Sequence, residues 1–198
     1  MATASARTPV GATSNSAKPA GLERAVAWSR QFSAEFPFYL ANHLPMVLVA
    51  LHRMGASDER LDDYCRLYHE KNGLVPAPER TCEITRENWR DHLGRRECES
   101  DYRAFFTIEM ARAGATQAAI DYIPQLVGGI AASALHALMR MAYATLAGSD
   151  EETAVALAYW AATYLSLGPF LGNEPSTEDP GEVLAYMYGP ETFRHIET

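Results

Sequence analysis

Two histidines stand out because each interrupts a segment that is otherwise apolar. His43 lies within residues 41–46 and His136 within residues 134–140. A neutral imidazole is the commonest metal ligand in proteins, and it also serves as a general acid or base. A lone histidine in an apolar helix is more often a core residue with a satisfied hydrogen bond. The chemistry therefore depends on whether these two side chains converge.

Helical spacing places two more functional side chains on the face that carries His136. At about 100° per residue, Arg140 and Tyr143 follow His136 along one side of the helix. Such a polar strip could hold a metal, a quinone-like ligand or a buried hydrogen-bond network. Arg140 either clamps a carboxylate or phenolate of a ligand or pairs with Glu109 or Asp121.

A metal site needs a third ligand, and two acidic residues are candidates for it. Glu109 lies on a predicted helix with Phe105 and Phe106, and Asp121 follows on the next one. A surface or capping role explains each acidic residue equally simply. Aromatic residues could also line the pocket of a flat ligand, although core packing is the simpler explanation for Tyr122, Tyr143, Tyr159, Trp160 and Tyr164.

The charge balance argues against nucleic acid and acidic membranes as partners. The 198 residues include 25 acidic and 17 basic ones, which gives a net charge of −8. A phosphate backbone requires concentrated lysine and arginine, which this chain lacks. The sequence also contains no glycine-rich phosphate loop, no GxSxG elbow, no HExxH and no pair of Glu-x-x-His motifs.

The cysteines and the N-terminal segment favour a cytoplasmic protein. Cys65, Cys82 and Cys98 are scattered and lack zinc-knuckle spacing, so free thiols in a reducing compartment are expected. The first 19 residues lack the apolar run of a signal peptide. No segment reaches the roughly 18 consecutive apolar residues of a membrane span.

Periodicity and capping signals predict an all-α protein, a compact single-domain bundle of seven or eight helices. We expect a flexible arm at residues 1–20, a helical domain at 21–172, and a tail at 173–198 with one possible short helix. One predicted helix covers residues 38–54, where Pro45 either lies in the first turn or kinks the helix. The small residues of 126–146 would let other helices approach closely.

Several short segments, in a consistent order, resemble the questin oxidase-like family. The resemblance covers about residues 36–167 and is carried by NHLPM at 42–46, ALHRMGA at 50–56, NW at 88–89, YIPQL at 122–126 and ALHALMRMAY at 134–143. It implies an all-helical fold and oxygen insertion or ring cleavage on anthraquinone-type aromatic polyketides. It also implies non-haem iron held largely by histidines, with use of NADPH, and it assigns ligand roles to His43 and His136.

The chain is much shorter than the larger family members, whose later histidines have no counterpart in it. A homodimer could join two His43 and His136 pairs into one site, or the site is reduced, or metal binding has been lost. The leading hypothesis is an oxidoreductase in which His43, His136 and Glu109 bind a metal while Arg140 and Tyr143 orient a phenolic or quinone substrate.

The alternative is a non-enzymatic helical dimer that binds a flat aromatic ligand or acts as an accessory protein in a biosynthetic pathway. The enzyme hypothesis requires the two imidazoles within a few ångströms of each other, or facing their mates across a dimer, beside a cavity. The binding hypothesis requires a cavity alone.

Overall fold

The computed structural model describes residues 20–168, 179, 181 and 182, and this part of the chain contains seven α-helices and no β-strand. The predicted all-α fold is confirmed. The helices are α1 (Ala20–Ser29), α2 (Leu44–Arg53), α3 (Asp58–Asn72), α4 (Glu99–Ala113), α5 (Ala115–Leu126), α6 (His136–Ala147) and α7 (Asp150–Ala162). Short 3-10 turns occur at Pro37–Tyr39, Trp89–His92, Arg96–Cys98 and Val127–Gly129.

The chain divides into two compact units, Met1–Leu167 and Gly168–Thr198. All seven helices belong to the first unit. The arm predicted for residues 1–20 lies outside the described residues except for Ala20, which begins α1. Nearly all of the predicted tail, and of the short helix predicted near residues 182–188, also lies outside them. None of the seven described helices combines the length and apolar character needed to cross a bilayer.

The centre of the first unit is α7, which is buried from Glu152 to Ala162. Ser149 caps the helix, because its Oγ accepts the Glu152 N–H at 3.3 Å, and acidic residues in the first turn suit the positive end of the helix dipole. Its many alanines present a narrow surface, against which α4, α5 and α6 pack closely. This packing fixes the position of α6 and therefore of His136.

A second apolar cluster joins α1, α2 and α3 through Leu22, Leu48 and Leu61. Helix α6 lies beside α2 and runs in the same direction. At one end His136 meets His43, and at the other the Arg53 guanidinium donates to the Leu146 carbonyl at 3.2 Å. The pairing of these two helices brings the histidines together.

The helix predicted for residues 38–54 begins later than expected, at Leu44. Pro45 lies in its first turn, where a missing N–H costs nothing. Before it, Phe38 and Tyr39 have left-handed backbone angles, with φ of 65° and 62°. The chain makes a tight loop there, closed by the Phe36 N–H, which donates to the Leu40 carbonyl at 2.7 Å.

The small-residue segment 126–146 is not one continuous helix. A 3-10 turn follows α5, and Ser133, Ala134 and Leu135 then adopt left-handed angles, with φ of 47°, 52° and 68°. Such angles are uncommon outside glycine, and three in succession form a left-handed turn directly before His136. This turn, residues 133–135, sets the direction in which α6 starts.

The expectation of free thiols is wrong for two of the three cysteines. Cys82 and Cys98 form a disulfide with a Cα–Cα distance of 5.5 Å, and only Cys65 is free and buried. Sequence spacing concealed this pair because the loop between residues 82 and 98 folds back on itself.

Candidate functional site

The two predicted histidines lie side by side. Their ring centroids are 4.8 Å apart and the rings meet edge to face at 82°. His43 immediately precedes α2, and His136 is the first residue of α6. Both side chains are partly buried. Because α2 and α6 start side by side, the His43 and His136 side chains converge. The sequence alone could not show this convergence.

The hydrogen bond of His136 determines which of its nitrogens is available. Nδ1 lies 2.6 Å from the carbonyl oxygen of Ser133. A carbonyl can only accept, so Nδ1 carries the proton of this bond and Nε2 holds a lone pair in the neutral ring. This is how ligand histidines are commonly oriented, with the second nitrogen anchored on an acceptor.

Glu35 and Tyr159 hold the left-handed turn that carries this carbonyl. The Ser133 hydroxyl donates to Oε1 of Glu35 at 2.7 Å and accepts from the Tyr159 hydroxyl at 2.6 Å. Oε2 of Glu35 accepts from Nε of Arg96 at 2.7 Å. The orientation of His136 thus depends on a chain of contacts from Arg96 through Glu35 and Ser133.

His43 is positioned by its own backbone and by the neighbouring Asn42. The buried Asn42 amide donates to the Ser33 carbonyl at 3.0 Å and accepts the N–H of Leu44, the first residue of α2, at 3.1 Å. The N–H of His43 donates to the Tyr68 hydroxyl at 3.2 Å. Burial raises the pKa of Tyr68, so its phenol stays protonated near neutral pH.

A cavity of about 790 Å³ lies beside the histidine pair. Its walls combine aromatic rings, small residues and the Arg96 guanidinium. The residues that line it include Phe36, Tyr39, His43, Tyr68, Gly94, Arg96, Ser133, Ala134, His136 and Tyr164. Space for Tyr164 depends on Gly129, where an added Cβ would lie 2.5 Å from the ring.

Exposed apolar side chains lie next to the cavity, on the loop before α2. Phe38 is 91% exposed and Tyr39 69% exposed. The Arg96 guanidinium lies 4.4 Å from the centroid of the Tyr39 ring, a cation–π contact. A flat aromatic ligand would find both stacking surfaces and polar groups here.

Arg140 and Tyr143 do not line this cavity. Arg140 is 1% exposed and pairs with Glu152 at 3.2 Å, so its acidic partner is neither Glu109 nor Asp121. Tyr143 packs beside it against α2. The structure therefore separates these two residues from the histidine pair, although they share its helix.

Glu109 is also separate from the histidines. Its carboxylate, 2% exposed, accepts from the Tyr122 hydroxyl at 2.8 Å and from Arg112 at 3.0 Å, and Arg86 lies at 3.2 Å. Burial alone would raise the pKa of Glu109, but these donors outweigh it and lower the pKa. The Asp121 carboxylate accepts from Gln117 instead.

No third ligand joins His43 and His136 within the described residues. In this part of the chain, the only three His, Cys, Asp or Glu donors close enough together for one cation are Cys82, His92 and Cys98. Sequence reasoning missed Glu35, Ser133, Arg96 and Tyr68 as neighbours of the histidines. They lie in loops or on another helix face, where no periodic pattern points to a site.

Comparison with known protein families finds one family that matches most of the chain. A model described as questin oxidase-like matches residues 40–192, which include both histidines. The chain belongs to the questin oxidase-like family. No curated protein matches the chain significantly. Family membership points to oxidoreductase-type chemistry and confirms the resemblance identified from the short motifs.

Proposed function

We propose that the protein is an oxidoreductase that oxygenates, or cleaves a ring of, an aromatic polyketide or quinone-type substrate. The observation that carries the proposal is the 4.8 Å approach of His43 and His136 beside a cavity of about 790 Å³. Membership of the questin oxidase-like family supports the same chemistry. A protein that only bound the ligand would need the cavity but not the paired imidazoles.

The cavity suits a flat, partly polar molecule. Ligand pockets for small molecules are typically about 300–1,000 Å³, and this cavity falls within that range. Phe36, Tyr39, Tyr68 and Tyr164 offer ring surfaces for stacking. Arg96 places a guanidinium at the cavity, where it can donate to a quinone carbonyl or a phenolate.

The histidine pair fits two of the ligands of a non-haem iron. Nε2 of His136 is free because Nδ1 is anchored on Ser133. Non-haem iron, when bound, would supply activation of dioxygen. The remaining ligands would come from a second copy of the chain in a homodimer. Glu109 does not fit this role, since its carboxylate already bonds Tyr122 and Arg112.

Two cavity residues apart from the histidine pair can hydrogen-bond the substrate. The Arg96 guanidinium can donate to a phenolate oxygen of the substrate, while the lone pair of Nε2 of His136 is kept for the iron. Tyr68, kept protonated by burial, donates its hydroxyl proton within the cavity. The substrate would thus be oriented by Tyr68 of α3 and by Arg96.

The experiment that tests this proposal reconstitutes the purified protein, in its disulfide form, with ferrous iron under anaerobic conditions. Metal content is measured by elemental analysis. Oxygen uptake is then followed with NADPH and a panel of hydroxylated anthraquinones. We expect bound iron and substrate-dependent oxygen uptake in the wild type, and loss of both in His43→Ala and His136→Ala.

His52→Ala is the matched control, because His52 lies on α2 outside the cavity lining. This variant should keep its iron and its oxygen uptake. A wild type that binds anthraquinones without iron and without oxygen uptake would overturn the proposal in favour of a ligand-binding protein. Unchanged iron content in both cavity variants would place the metal elsewhere.

A further inference from the structure

A histidine lies directly beside the Cys82–Cys98 disulfide. Nδ1 of His92 is 3.9 Å from Sγ of Cys98, and one donor atom from each of the three residues lies within 4.8 Å of the others. Two sulfurs and an imidazole nitrogen are the donors preferred by thiophilic cations such as Zn²⁺. This cluster is separate from the histidine pair at the cavity.

Contacts other than the S–S bond hold both cysteines in place. The buried Asp101 carboxylate accepts the N–H groups of Thr81 and Cys82, each at 2.9 Å. Cys98 is fully buried directly before α4, and its N–H donates to the Arg95 carbonyl at 3.0 Å. The two backbones therefore stay close when the bond is reduced, so the sulfurs can separate to the spacing of two ligands.

His92 is held independently of the cysteines. It ends the 3-10 turn that begins at the buried Trp89. Nη1 of Arg95 lies 3.2 Å from Nδ1 of His92, and a guanidinium can only donate, so Nδ1 presents a lone pair. Arg95 is exposed and also bonds Glu97, so it can turn away when a cation takes this nitrogen.

We infer that Cys82, Cys98 and His92 form a redox-gated binding site for a thiophilic divalent cation. A thiol reductant of the glutathione or dithiol class supplies two electrons and two protons, which cleave the S–S bond to two thiols while the reductant becomes a disulfide. The cation then displaces both thiol protons to solvent and binds the two thiolates and Nδ1 of His92. The disulfide form has no thiolates to offer.

Charge and access both favour this site. Two thiolates neutralise a divalent cation, so loading leaves no net charge beside the buried Cys98. Cys82 and His92 are partly exposed, which lets the reductant and the cation reach them. Three protein ligands leave the fourth position to water or to a small exogenous ligand.

The test uses the full chain and Co²⁺, which reports thiolate ligands through a charge-transfer absorption that histidine and carboxylate sites lack. Protein is reduced, freed of reductant without air, and titrated; the disulfide form is titrated in parallel. We expect one cobalt with thiolate charge transfer in the reduced form only. Zn²⁺ should displace it.

Three variants decide the assignment. Loss of an outer partner of a metal site already costs roughly 10–100-fold in affinity, so His92→Asn should weaken cobalt binding at least that much. Cys82→Ser should abolish the charge-transfer absorption, and Cys65→Ala, which removes the free cysteine, should leave it unchanged.

Three results would overturn the inference. These are a disulfide that resists reduction in the folded protein, cobalt binding without thiolate absorption, and equal affinity in His92→Asn and wild type. His92→Asn leaves the disulfide intact, so it reports on the site even if Cys82→Ser fails to fold. All readouts are independent of oxygen uptake and so do not depend on the proposed oxidoreductase activity.

Discussion

The Ser133 carbonyl accepts the Nδ1 proton of His136 at 2.6 Å, and the hydroxyl of the same serine donates to Glu35. Glu35 thus acts on the imidazole through a single residue. Removing its charge should loosen the turn at residues 133–135 and let the ring of His136 reorient. Glu35 does not touch the cavity side of the ring, so it is a positioning residue.

We expect Glu35→Gln to weaken iron binding on the order of tenfold, as for other outer partners of metal ligands. The imidazole nitrogens of His136, followed by NMR, should show the Nδ1–H tautomer in the wild type and a mixture in the variant. Glu79→Gln, at an exposed glutamate, is the control. Identical His136 spectra in Glu35→Gln and wild type would contradict the positioning role.

The left-handed turn before α6 leads to a prediction about stability. A non-glycine residue in this conformation costs about 1–2 kcal/mol, while glycine adds about 0.5–1 kcal/mol of unfolded-state entropy. Ala134→Gly should therefore stabilise the protein by about 0.5 kcal/mol, measured by urea unfolding. Ala142→Gly, at an exposed position inside α6, should instead cost about 1 kcal/mol. Equal losses of unfolding free energy in both variants would contradict backbone strain at Ala134.

Glu109 should contribute to stability at neutral pH and not to metal binding. Its lowered pKa means that the stabilisation is complete above the unfolded pKa of about 4.3 and is lost as the pH falls through the folded pKa. Glu109→Gln should cost about 1–3 kcal/mol at pH 7 and flatten the dependence of unfolding free energy on acidic pH. Its iron content should match the wild type.

The control for Glu109 is Glu70→Gln, an exposed glutamate on α3, which should change stability by less than about 0.5 kcal/mol. If Glu109→Gln lost its iron while its stability stayed unchanged, Glu109 would be a metal ligand after all.

Arg140 should behave as half of a buried ion pair. Arg140→Met removes the closest cation from the buried Glu152, leaves Arg30 at 3.9 Å, and should cost about 3–5 kcal/mol. The double variant Arg140→Met with Glu152→Gln should cost less than Arg140→Met alone, because no uncompensated charge remains. Unfolding in urea measures both values.

Arg60→Met, at an exposed position on α3, is the control for loss of a guanidinium and should have little effect on stability. Anthraquinone affinity should be unchanged in Arg140→Met wherever the variant is folded. A folded Arg140→Met protein that keeps its stability but loses affinity would place Arg140 in the substrate site.

The helices and the special status of His43 and His136 could be predicted because both depend on periodicity. Apolar spacing identifies a helix face, and a histidine within it is visible at once. Arg140 shares that face with His136 but lies one turn further along α6, where its side chain bonds Glu152 of α7. The position of a residue on a helix face predicts the direction of its side chain. It does not predict which residue of another helix that side chain will contact.

The rest of the site could not be predicted, for a physical reason. The sequence Ser133-Ala134-Leu135 contains no glycine or asparagine, so nothing marks a left-handed turn; tertiary contacts of Ser133 with Glu35 and Tyr159 impose it. The Cys82–Cys98 bond likewise involves a loop that Asp101 holds through the N–H groups of residues 81 and 82. Long-range contacts such as these leave no local pattern.

The parallel arrangement of α2 and α6 has an electrostatic consequence. Both helices begin at the cavity, so both direct the positive end of a helix dipole towards it, each equivalent to roughly +0.5 elementary charge. Their fields add, because the helices run in the same direction. A ligand that gains negative charge on binding, such as a phenol that becomes a phenolate, is therefore stabilised here.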